Sequence, residues 1–69
     1  KLSGKEKREM EQLEAAIALA EERQDAINSE LAAAGSDFQA VQRLGDELHA
    51  LQTKLDRDMA RWSELAEFA

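Results

Sequence analysis

The 69 residues include no proline, no cysteine and three glycines, and they carry a formal net charge of −6. Ala, Glu, Leu, Lys and Arg supply 41 of them, about 59%, above the ~50% at which composition alone points to a long helix or coiled coil. This excludes a disulfide framework, a thiolate zinc site and, with one histidine, any metal centre built on a histidine pair. No apolar run approaches the ~18 residues of a membrane span and no basic-then-apolar leader opens the chain, so a cytoplasmic location is the expectation. The sequence starts at Lys1, and the expected organisation is one domain, residues 1–69, cut from a larger protein.

Ser3-Gly4-Lys5-Glu6 has the spacing of a capping box, in which the serine hydroxyl accepts from the amide three residues on and the glutamate reaches back. A helix is predicted from about Gly4. Met10, Leu13, Ile17, Ala20, Gln24, Ile27, Leu31 and Ala34 then recur at alternating intervals of three and four, a heptad seam with Met10, Ile17, Gln24 and Leu31 at a. Gly35-Ser36-Asp37 supplies a C′ glycine for this helix and a cap for the next, with Ser36 and Gln39 spaced as a second capping box. The second seam runs Val41, Leu44, Leu48, Leu51, Leu55, Asp58, Trp62, Leu65, Ala69. Two long helices joined by so short a turn must run antiparallel. The predicted fold is therefore all-α, an antiparallel coiled-coil hairpin turning near residues 35–37.

Residues paired across a hairpin have numbers that sum to a constant. Sums of 71 or 72 set Leu31 against Val41, Ile27 against Leu44, Ala20 against Leu51, Ile17 against Leu55 and Met10 against Trp62. The same register sets Glu9 against Arg61 and Arg23 against Glu47, both of opposite sign, which helps fix the register more than it stabilises. Gln24 faces Leu48, and Asp58 faces Leu13. A carboxylate buried there without a partner is costly, so the expectation is a splayed or wet base with Met59 turned into the seam. Phe38 is expected to fold over Leu31 and Ala32 to Ala34 as a plug at the tip, with Phe68 and Leu2 doing the same at the base.

Nothing here reads as an enzyme. His49 falls at b, on the solvent side; Glu21-Glu22 and Asp46-Glu47 lie on outer helical faces with no cleft to raise a pKa. There is no phosphate-binding glycine loop or nucleophile elbow. Trp62, at a, reads as core near the open end, its indole N–H needing a partner, with a base-stacking role as the alternative. Charge is unevenly placed: residues 15–53 hold two cations, Arg23 and Arg43, and the other seven of nine lie at the base. Lys1, Lys5 and Arg8 fall at f, c and f of the first helix, and Lys54, Arg57 and Arg61 at g, c and g of the second. A basic face at the base is a candidate for phosphate contact, because local patches set the field a polyanion meets at short range. The acidic total keeps any such binding weak.

The two ends carry a further signal. Lys1-Leu2-Ser3-Gly4-Lys5-Glu6-Lys7-Arg8-Glu9-Met10-Glu11 and Arg61-Trp62-Ser63-Glu64-Leu65 resemble the C-terminal coiled-coil domain of the ABC-F ATPases, in particular the Uup type. That domain opens on a Lys-Leu-Ser-aromatic-Lys-Glu stretch and closes on Arg-Trp-x-x-Leu. Gly4 departs from the aromatic residue usual at its place, which removes a stacking or docking role there. The resemblance implies a non-catalytic piece following two ATP-binding cassettes, with no cofactor of its own and with ATP and magnesium handled by the parent ATPase. It also implies a contribution to binding DNA or ribosomal RNA, for which Lys1, Lys5, Arg8, Lys54, Arg57 and Arg61 are the candidates. The competing expectation is a protein-interaction or spacer hairpin that docks on the parent's cassettes or self-associates.

Overall fold

A computed structural model describes all residues, Lys1–Ala69. It consists of two helices, α1 (Gly4–Ala34) and α2 (Phe38–Ala66), which lie side by side as an all-α helical hairpin in a rod 52 × 15 × 15 Å. The first capping box forms as its spacing requires: the Ser3 hydroxyl accepts from the Glu6 amide at 3.1 Å and the Glu6 carboxylate accepts from the Ser3 amide at 3.0 Å. The Ser3 amide first, and then the Ser3 hydroxyl, hold the Glu6 carboxyl below its ordinary range. At the other end Gly35 has φ 58° and ψ −119°, a backbone conformation that only glycine adopts without strain. It turns the chain within three residues.

The second cap is one residue later than expected. Asp37, not Ser36, is the N-cap of α2, and its Oδ1 accepts from the Ala40 amide at 3.1 Å. An aspartate there meets the same orphan amide as a serine and adds a negative charge at the positive end of the helix dipole. Phe38 thereby becomes the first helical residue. A helical Cα–Cβ bond tilts towards the N-terminus, which directs Phe38 beyond the turn, where nothing lies under it. The ring is 81% exposed and does not plug the tip.

The core is a single seam. Ile27, Leu44 and Leu65 are almost completely buried, with Ala20 and Leu55 beside them, while Met10, Leu13, Ile17, Leu31, Leu48 and Leu51 are half-buried. Ile27 and Leu44, expected to share a layer, are both among these three deepest side chains. With two helices every seam side chain has one neighbouring surface only, so few can be covered on all sides; a core of this size seldom supplies more than ~3–5 kcal/mol. Gln24 is half-buried, and no buried side-chain polar atom lacks a hydrogen-bond partner.

Two bidentate ion pairs cross the seam where the register places them. Arg23 donates to Glu47 through Nε at 2.6 Å and Nη2 at 2.8 Å. Arg61 donates to Glu9 through Nε at 2.7 Å and Nη2 at 3.0 Å. Each fork fits its carboxylate at one relative height of the helices only, so the two pairs pin the register. Their hydrogen bonds hold the Glu9 and Glu47 carboxyls below the ordinary range and raise both guanidinium pKa values further.

The base differs from its expected packing. Helix α2 is continuous through Asp58 and Met59, so bringing Met59 into the seam would need a turn of ~100° about the helix axis that an unbroken helix does not provide. Met59 is instead 45% exposed on the flank. Asp58 stays at the seam edge and accepts from Lys54 Nζ at 2.8 Å, one turn back on the same helix. Leu2 is half-buried at the base, but Phe68, beyond the end of α2, is 60% exposed and covers nothing. Trp62 is half-buried and finds the partner its N–H needs across the seam: Nε1 donates to Glu14 Oε2 at 3.2 Å.

Candidate nucleic-acid interface

In a helix of this register, positions g and c share one flank of the seam, e and b share the other, and f points outward. On the g/c flank lie Lys5, Arg23, Arg43, Lys54, Arg57 and Arg61, against Glu9, Glu30, Glu47 and Glu64. On the e/b flank lie Glu11, Glu14, Glu21, Asp25 and Asp56, against Lys7 alone. Lys1 and Arg8, at f, border the cationic flank beside Lys5. The hairpin thus carries opposite charge on its two long sides, a polarity that the net charge of −6 conceals.

The six sequence-derived candidates divide by what they already hold. Arg61 is committed to Glu9 and also reaches Glu64 through Nη1 at 3.1 Å. Lys54 is tied to Asp58. Lys1, Lys5, Arg8 and Arg57 make no ion pair in the structure. Lys5 and Arg8, one turn apart on α1, line a shallow open depression with Glu9 and Gln12. The Arg61–Glu9 bond brings α2 to the edge of that depression, so cations of both helices meet on one side of the base.

Arg43 is a further cation of this flank outside the six candidates. It is exposed and unpaired and occupies the same c position as Arg57 two heptads away, ~21 Å along the rod; the heptad letter was the signal. No cluster of His, Cys, Asp or Glu has the arrangement of a metal site, and no helix is long and apolar enough to cross a membrane. His49 is exposed on the e/b flank, and its carbonyl accepts from Thr53 Oγ1 at 3.0 Å. Chemically, the g/c flank offers unpaired ammonium and guanidinium groups on a helical rod, groups of the kind that bond phosphates.

Comparison with known proteins fits this fold to a family. Residues 1–67 match the ABC transporter C-terminal domain. Over 66 residues, 96% of its length, the chain is 39% identical to a protein of Bacillus subtilis (strain 168) named "Uncharacterized ABC transporter ATP-binding protein YfmR", and it spans 10% of that relative. No solved structure matches the chain. With nearly every residue inside the family match and an end-to-end resemblance to an ABC ATP-binding protein, the chain belongs to the ABC transporter C-terminal domain family.

Proposed function

We propose that this hairpin is a non-catalytic accessory domain of a cytoplasmic ABC-F ATPase of the Uup type, and that it contacts DNA or ribosomal RNA through the g/c flank at its base. The family match and the ABC ATP-binding relative support the parentage. The two end motifs, Lys1 to Glu11 and Arg61 to Leu65, support the finer type. In this reading ATP and magnesium belong to the parent's cassettes, and the hairpin lends them a reach of about its own length along a polyanion.

The observation that carries the nucleic-acid reading is the division among the cations of this flank and its border. Arg23, Arg61 and Lys54 are held by carboxylates, whereas Lys1, Lys5, Arg8 and Arg57 at the base are held by none. Phosphate contacts from such groups position a protein without reading bases. Few contacts and an acidic whole give weak binding with a steep salt dependence.

Titrating a labelled duplex, a branched DNA and an RNA hairpin at low and at moderate salt tests this. Binding is expected at low salt, with the Lys5→Glu/Arg8→Glu variant weaker by roughly tenfold and its salt slope flatter by about 2. A folded chain that binds none of the three, or a variant that binds as the wild type does, ends the proposal.

A further inference from the structure

The e/b flank holds a feature the nucleic-acid reading does not use. Between the helices, in the lower half of the rod, a shallow pocket of about 340 Å³ opens on this side. Ile17, Ala18, Met59 and Trp62 form its apolar lining, and Glu14 and Glu21 stand at its rim. Met59, kept on the flank by the unbroken α2, and the small Ala18 both line the pocket. Glu14 accepts the Trp62 N–H, a bond made at the ring edge, and the indole itself contributes to the pocket wall. That bond fixes the ring and uses one acceptor site of a carboxylate that has about four.

We infer that this pocket is a docking site for a basic amphipathic helix of a partner protein, one that presents two arginines a heptad apart. Charge complementarity selects the occupant. Neither rim carboxylate has an ion-pair partner, and the rest of the flank adds Glu11, Asp25 and Asp56, also unpaired. A purely apolar side chain entering the pocket would strip water from Glu14 and Glu21 and return nothing. A guanidinium satisfies both parts of the site, since its plane stacks on an indole while its edge bonds a carboxylate bidentately.

Spacing selects the helix. Glu14 and Glu21 are seven residues apart on α1, ~10.5 Å along the axis. A third helix laid in the groove repeats at the same interval, so arginines at i and i+7 meet the two carboxylates while a leucine between them lies on Met59 and Ile17. Runs of basic residues of this kind are common in segments that themselves bind nucleic acid, but the pocket is on the opposite side from the phosphate-contacting cations and its occupant does not depend on them.

Trp62 is the one tryptophan in the chain, so its fluorescence reports the pocket directly. The probe is a short helical peptide with arginines at i and i+7 and leucine between them; the same peptide with citrulline in place of arginine is the control. The arginine peptide is expected to shift Trp62 emission saturably and the citrulline peptide to leave it unchanged. Glu14→Gln/Glu21→Gln should weaken binding by about fivefold or more, and Lys5→Glu/Arg8→Glu should leave it intact. Should the double glutamine variant lose helicity by circular dichroism, Ala18→Lys, which places a like charge in the pocket mouth, should abolish the response. No saturable response, equal response to the citrulline peptide, or equal affinity in the glutamine variant overturns the inference. So does sedimentation showing that the chain alone dimerises with Trp62 already buried, since the occupant is then a second copy.

Discussion

The two flanks of the hairpin are made by the same helices in the same register, yet they use charge in opposite ways. On the g/c flank the carboxylates are spent on arginines of the facing helix, Glu9 on Arg61 and Glu47 on Arg23, and the unpaired groups left over are cations. On the e/b flank no ion pair crosses the seam; the single polar bridge is the Trp62–Glu14 hydrogen bond, and the groups left over, Lys7 apart, are carboxylates, two of them at the rim of an apolar pocket. The lesson is one of division of labour. Register needs to be fixed on one side only, and once the ion pairs fix it there the other side is released from that task. Depressions between the helices occur on both sides, at Ile17, Met59 and Trp62 on one and at Ala20, Arg23, Leu51 and Lys54 on the other, but only the first is rimmed by unpaired carboxylates.

The seam is common to both flanks, so removing part of it should erase the distinction. Ile27→Ala deletes most of the most buried side chain, and truncations of this kind cost ~2–5 kcal/mol. That is comparable to the whole core contribution expected at this size. The expected outcome is a largely unfolded chain at room temperature by circular dichroism, with loss of both the nucleic-acid and the peptide response. A variant that keeps its helicity and cooperative melting would mean that the hairpin is held by something other than its core.

A smaller effect should separate the flanks. Arg61→Met removes the Glu9 fork and keeps the apolar stem that packs beside the seam, and Arg23→Met does the same for Glu47. Each is expected to lower the melting temperature by less than Ile27→Ala does, and the deficit should shrink at about 1 M salt, where exposed charge interactions are screened. Glu14→Gln on the other flank still accepts the Trp62 N–H, so it should leave the melting temperature nearly unchanged at either salt. Equal behaviour of the two flanks would show that the crossing ion pairs do not fix the register.

Much of this architecture was legible in the residues. The Ser3/Glu6 box, the turn at Gly35 and both crossing pairs follow from spacing, because each needs only the helical repeat and a constant sum across the turn. The failures have local causes. Ser36 and Asp37 are both competent caps, and spacing does not choose between neighbours that present equivalent oxygens to the same orphan amides. Met59 was expected to displace Asp58 from the seam on the grounds that a carboxylate is costly there; Lys54, one turn away, removes that cost without moving the helix. Phe38 and Phe68 were placed on hydrophobicity alone, but with two helices only there is no surface at either end to receive them. The candidate cations were readable as heptad positions. Which of them are free was not, because that depends on which carboxylates come within reach, and the pocket stayed hidden as long as Met59 was assigned to the core.

The finest test of the paired flank is its response to acid. The Glu9 carboxyl is held below its ordinary value of 4.5, first by the Arg61 hydrogen bond. Above that ordinary value Glu9 is ionised in both folded and unfolded chains, and its contribution to stability is fully present. As pH falls below it, the unfolded chain takes up the proton first, and the contribution drains away until the folded chain is protonated as well. Glu9→Gln has no such charge at any pH. The wild type should therefore melt above Glu9→Gln at neutral pH by a constant margin, and the two should converge as the pH is lowered through the carboxylate range. The general relief of repulsion in a chain of net charge −6 acts on both proteins and cancels in the difference. In an Arg61→Met background the same comparison should show a smaller margin and no comparable convergence, and Glu47→Gln with Arg23→Met should repeat the pattern towards the tip. A margin that stays constant into acid would mean that the negative charge of Glu9 adds nothing to the pair, and the register would then rest on the shape of the seam alone.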